Sequence, residues 1–132
     1  ITADDNGAVW VVHYKPERGV SVLHANETAW QTRLTSSNNI KLGGVGIAAA
    51  GKTIIIGQQS GLVIYNPTLD KAIKVTESQG LPGYIVSDLY VTASDIWASV
   101  YGYAPGGKGS DRGGLVKINR NALEQINWTA VH

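Results

Sequence analysis

The chain contains no cysteine among its 132 residues. Disulfides, thiolate chemistry and cysteine-ligated zinc are therefore excluded. Methionine is absent as well, and the sequence opens at Ile1. That start is expected of a mature segment or of a fragment. A surplus of either charge is also lacking: 11 Lys and Arg face 10 Asp and Glu, leaving a net +1. Such a balance gives no reason to expect nucleic acid or an anionic membrane as the main partner. No apolar run approaches the ~20 residues of a membrane-spanning helix. The longest uncharged apolar stretch, Gly43 to Gly51, is short and rich in Gly and Ala. No secretory leader is visible. Finally, no segment carries an apolar 3.6-residue pattern long enough for an amphipathic helix.

What is present is a repeat. Hydrophobic residues make up 43% of the chain, enough for a packed core. Three segments align on two anchors. The first anchor reads Gly7-Ala8-Val9-Trp10, Gly51-Lys52-Thr53-Ile54 and Ser94-Asp95-Ile96-Trp97. The second reads Gly19-Val20-Ser21-Val22, Gly61-Leu62-Val63-Ile64 and Gly114-Leu115-Val116-Lys117. The period is roughly 43 residues, which suits helical HEAT or armadillo units and also four-stranded propeller blades. Short β-branched runs such as Val9–Val12, Val20–Leu23 and Thr53–Ile56, punctuated by Gly, Asn and Asp, decide for strands. Asp5-Asn6-Gly7 reads as a hairpin turn, because Asn and Gly tolerate positive φ.

Each repeat resolves into four expected strands. The innermost are Ile1–Asp4, Val45–Ala49 and Ile85–Val91. The second are Val9–His13, Thr53–Gly57 and Ile96–Tyr101. The third are Val20–His24, Leu62–Asn66 and Leu115–Asn119. The outermost are Trp30–Leu34, Ala72–Thr76 and Gln125–Thr129. The expected fold is an all-β propeller segment of three four-stranded blades in an incomplete ring. Blade 1 covers residues 1–35, blade 2 residues 36–79 and blade 3 residues 80–132. Trp10, Ile54 and Trp97 are the expected matched core residues. Three blades leave two apolar faces bare, so further blades of the same protein or a second copy are expected to complete the ring.

Gly80-Leu81-Pro82, Ile96-Trp97-Ala98-Ser99 and Gly113-Gly114-Leu115-Val116 resemble the repeat of bacterial two-component regulator propellers. Asp4-Asp5-Asn6-Gly7-Ala8-Val9-Trp10 and Gly61-Leu62-Val63-Ile64-Tyr65 are similar to its hairpin and third strand. Only the third repeat carries Gly-Leu-Pro, and the second has Ile54 in place of Trp. The resemblance implies an extracytoplasmic sensor or scaffold region, periplasmic or secreted.

Propellers commonly bind ligands at one channel mouth, formed by the loops between second and third strands and by the blade-joining loops. Here the former are His13-Tyr14-Lys15-Pro16-Glu17-Arg18, Gln58-Gln59-Ser60, and Tyr101 to Arg112. The latter are Leu42-Gly43-Gly44 and Leu81-Pro82-Gly83-Tyr84. The candidate ligand-binding residues are His13, Tyr14, Arg18, Gln58, Gln59, Tyr84, Tyr101, Tyr103, Asp111 and Arg112. Their aromatic and planar hydrogen-bonding groups suit a sugar, a peptide or a protein partner. Loops of six, three and twelve residues argue against identical sites in every repeat.

Signals for chemistry are weak. His13, His24 and His132 are dispersed, with no ligand spacing, so no metal or other cofactor is expected. No serine sits in a nucleophile elbow. Gly106-Gly107-Lys108-Gly109-Ser110 lacks the full phosphate-loop pattern. Asp4-Asp5-Asn6 lacks the spaced oxygens of a calcium loop. Asn26-Glu27-Thr28 and Asn127-Trp128-Thr129 are glycosylation sequons that matter only in a secretory eukaryote. The leading expectation is a non-catalytic binding or scaffold module. The alternative is part of a carbohydrate-active hydrolase that draws carboxylates from Asp88, Asp95, Asp111 or Glu17.

Overall fold

The computed structural model describes residues 1–13, 18–35, 44–102 and 113–131. Tyr14, Glu17, Leu42, Gly43, Tyr103, Gly106 to Ser110, Asp111, Arg112 and His132 lie outside the described residues. The described chain is mostly strand, arranged as three antiparallel sheets. The first sheet contains β1 (Thr2–Ala3), β2 (Val9–His13), β3 (Gly19–Leu23) and β4 (Gln31–Thr35) in sequence order. The second contains β5 (Gly44–Ala50), β6 (Thr53–Gln58), β7 (Gly61–Asn66) and β8 (Lys71–Val75). The third contains β9 (Ile85–Val91), β10 (Asp95–Tyr101) and β11 (Gly113–Asn119).

The hairpin chemistry is local. The Asp4 carboxylate accepts the backbone N–H of Asn6 (2.9 Å) and Ala8 (3.0 Å) through Oδ1. Its Oδ2 accepts the indole N–H of Trp10 at 2.8 Å. One side chain therefore fixes the Asp5-Asn6-Gly7 turn and the rotamer of the following core tryptophan. The β6–β7 turn depends on Gly61, whose φ of +116° and close approach to the Val75 carbonyl leave no room for a Cβ.

The second sheet is buried on both faces. Ile54, Ile56, Val63 and Tyr65 pack with Ala8, Trp10, Val20, Val22 and Leu34 of the first sheet. On the reverse face, Ile55, Leu62 and Ile64 pack with Val86, Ile96, Ala98 and Val100 of the third. The near-continuous apolar runs of β6 and β7 follow from this double burial. Each fully buried aliphatic side chain there stabilises by about 1.5–3 kcal/mol relative to exposure. The first strands of the sheets gather together: β5 touches β1 and β2 on one side and β9 on the other.

Two expectations are corrected. Gln125–Thr129 does not form a fourth strand. Arg120–Glu124 forms a short helix, α1, and Trp128–Ala130 a 3-10 turn. Asn119 starts the helix by accepting the N–H of Asn121 at 2.8 Å, an N-cap that outcompetes extension of β11. Leu123 is buried and Trp128 packs on the same cluster, so apolar burial holds the segment in place. Trp97, second, is no core residue: it is 37% exposed, whereas Trp10 is 2% exposed. The hairpins show why the matching failed. Ala50 pairs with Thr53 across a two-residue turn. Thr92 donates its N–H to the Asp95 carbonyl (2.8 Å) across another. Counted from those turns, Trp97 corresponds to Ile55 and not to Ile54. Trp10 points at the second sheet and Ile55 at the third, while Trp97 points away from both.

Candidate functional site

The candidate ligand residues that are described sit at one end of the sheets, where β2, β6 and β10 finish. Their side chains do not converge. His13 shares the alternate face of β2 with Val9 and Val11, away from the second sheet, and its Nε2 lies 2.8 Å from Ser21 Oγ. Ser21 Oγ is in turn 3.2 Å from Thr32 Oγ1, so the three groups make a polar row across the first sheet. Arg18 is exposed at the start of β3. Tyr101 is exposed on the bare face of the third sheet, on the same alternation as Trp97.

Tyr84 and Tyr101 are brought together along the backbone. The Tyr84 N–H donates to the Gly102 carbonyl at 3.0 Å. Gly83 passes so near Tyr101 that an added Cβ would stand 2.9 Å from the Tyr101 carbonyl carbon. Only glycine fits that crossing. The connection between β8 and β9 is thus locked onto the end of β10.

Gln58 is the unusual member of this group. It is fully buried, on the strand alternation of Ile54 and Ile56 that faces the first sheet. Neither its Oε1 nor its Nε2 has a hydrogen-bond partner among the described residues. Buried amides without partners cost about 1–3 kcal/mol, so a native chain retains one for a reason. Gln59, beside it, is exposed in the turn.

No group of three His, Asp or Glu side chains able to hold a metal ion occurs among the described residues. Asp88 and Asp95 stand apart on the third sheet: Asp88 pairs with Ser99 and Asp95 with Asn119, near opposite ends of β10. Among the described residues no helix is long and apolar enough to cross a membrane.

The opposite end of the sheets carries a feature that strand and loop patterns did not reveal. The β1–β2 and β5–β6 turns, the end of β7 and the α1 segment enclose a cleft of about 720 Å³. Asp5, Lys52, Asn66, Arg120, Glu124 and Trp128 line it. The signal that could have found it is Asn119, whose capping side chain turns the chain back toward the second sheet.

No protein-family model matches the chain, and no match was found among curated proteins or solved structures.

Proposed function

We propose that the three sheets are consecutive blades of a β-propeller that acts as a non-catalytic binding or scaffold module outside the cytoplasm. Its ring is completed by further blades of the same protein or by a second copy. Its partner, a sugar, peptide or protein, is engaged through the loop face at the end of the sheets where His13, Tyr84 and Tyr101 lie. The carrying observation is the serial stacking of equivalent faces. The Trp10 face covers the second sheet and the Ile55 face covers the third. The equivalent Trp97 face is bare, with Tyr90 69% and Leu115 73% exposed. A contiguous aromatic and aliphatic face of this kind is what an interface looks like before its partner arrives. The extracytoplasmic setting rests on the family resemblance alone.

The test is made on the chain by itself, with light scattering and a hydrophobic dye. If the face belongs inside a ring, the 14.0 kDa chain self-associates or binds dye, and Trp97→Asp with Leu115→Asp abolishes both while circular dichroism is retained. A monodisperse, dye-silent wild-type monomer overturns the reading. A panel of aryl glycosides and esters, offered to the same preparation, is expected to give no turnover.

A further inference from the structure

We infer that the cleft between the β1–β2 turn, the β5–β6 turn and α1 is a binding site for a neutral oligosaccharide. It is separate from the loop face proposed above and does not depend on ring closure. The volume of about 720 Å³ falls within the range of small-ligand sites.

The walls are pinned before any ligand arrives. Asp4 clamps the turn that carries Asp5 through the Asn6 and Ala8 N–H groups, at 2.9 and 3.0 Å. Asn66 Oδ1 accepts the N–H of Thr68 (3.1 Å) and Leu69 (3.2 Å), which fixes the amide and leaves Nδ2 to donate. The Arg120 guanidinium donates through Nη1 to the Thr92 carbonyl (2.8 Å), tying the cleft to the β9–β10 turn. Lys71 Nζ donates to the Trp128 carbonyl at 2.9 Å and holds the 3-10 turn against the second sheet. A site whose groups are already ordered loses little entropy on binding.

The charges choose the ligand. Lys52 and Arg120 are balanced by Asp5 and Glu124, so a polyanion and a polycation each meet two like charges in the lining. A polyol meets none, because each hydroxyl both donates and accepts and so satisfies ammonium, guanidinium, amide and carboxylate alike. Trp128, half-buried on the core, supplies the flat apolar surface on which the C–H face of a sugar ring rests. An extended peptide is disfavoured, since turn and helix residues make most of the lining and the edge strands contribute only Ala50, the last residue of β5, too little to offer a ladder of hydrogen bonds. The cleft also sits where the third sheet departs from the repeat: α1 and the 3-10 turn follow β11 in the sequence where the other two sheets have their fourth strand. Departures from a repeat are where function concentrates.

The experiment titrates the full chain with cellohexaose, xylohexaose, mannohexaose and chitohexaose by calorimetry. At least one is expected to bind. Lys52→Ala and Asp5→Ala, both exposed turn positions, should each weaken binding, and the double variant by about tenfold or more. Trp128→Ala should do the same; if that variant unfolds, the two turn variants still decide. Affinity should change by less than about twofold between ~50 and ~500 mM salt, because the ligand is neutral. Tyr101→Ala should leave binding unchanged. No heat with any of the four sugars overturns the inference, as does binding that survives the Asp5–Lys52 double variant. Binding lost in Tyr101→Ala would place the sugar at the opposite end; that outcome also overturns the inference while leaving the proposed function standing.

Discussion

Trp10 and Tyr65 meet edge to face between the first and second sheets, with ring centroids 6.4 Å apart and planes inclined by 72°. Each ring keeps its polar end satisfied in place. The indole N–H donates to Asp4 at 2.8 Å, and the Tyr65 hydroxyl donates to Asp70 Oδ1 at 2.7 Å. The contact therefore couples packing between sheets to the turns at their ends, the β1–β2 turn through Asp4 and the β7–β8 turn through Asp70.

That coupling sets a ranking for Trp10. Trp10→Ala removes the ring and leaves a cavity, so unfolding in urea should show a loss of about 3–5 kcal/mol. Trp10→Phe retains most of the ring and forfeits the bond to Asp4, with an expected loss of about 1–3 kcal/mol. Equal losses for the two variants would show that the indole N–H bond to Asp4, and not the ring volume, dominates.

Tyr65 predicts a response to alkali. Burial, and after it the hydrogen bond to Asp70, hold its hydroxyl well above the ordinary tyrosine value of 10. The unfolded chain loses that proton near pH 10, whereas the folded chain keeps it. The stability tied to the neutral phenol is thus complete below pH 10 and drains away as the pH rises beyond it. Denaturation curves collected from pH 9 upward should show wild type losing stability more steeply than Tyr65→Phe. Parallel slopes would mean that the hydroxyl ionises freely in the fold.

The strands were legible because β-branched runs and glycine turns are local signals. β9 runs Ile85–Val91 as expected, and the β2 bounds Val9–His13 coincide as well. The α1 segment was not legible, because Gln125–Thr129 is as compatible with a strand as with a turn. The choice was made by the Asn119 cap and by burial of Leu123 against another sheet. The face of a strand was equally hidden. Ile54, Ile55 and Ile56 are chemically alike, and only the length of the Gly51-Lys52 turn decides which of them faces the first sheet. Of the candidate site, Gln58 was legible as a loop-end residue. Its complete burial was not, since nothing local distinguishes it from exposed Gln59.

Gln58 yields a test of function against stability. Leucine has a similar volume and carries no polar atoms, so Gln58→Leu removes two buried groups that have no partner among the described residues. Chemical denaturation should show a gain of about 1–3 kcal/mol. A loss of similar size would mean that the amide is satisfied in solution.

The register of the repeat makes the sharpest contrast. Ile55 and Trp97 occupy equivalent positions after equivalent turns, yet one face is covered and the other is bare. Ile55 is 1% exposed among Leu62, Ile64, Val86 and Ile96. Ile55→Ala should therefore cost about 2–5 kcal/mol in the isolated chain. Trp97 is 37% exposed, with the Lys117 ammonium 5.8 Å from its ring centroid. Trp97→Ala should cost less than about 1 kcal/mol in a monomeric sample. In a sample that self-associates the same substitution should lower stability in proportion to how fully the face is covered, and the loss should grow with protein concentration. A concentration-independent loss of several kcal/mol for Trp97→Ala would show that its ring is buried within a single chain, and the assignment of that face to a further sheet would fall.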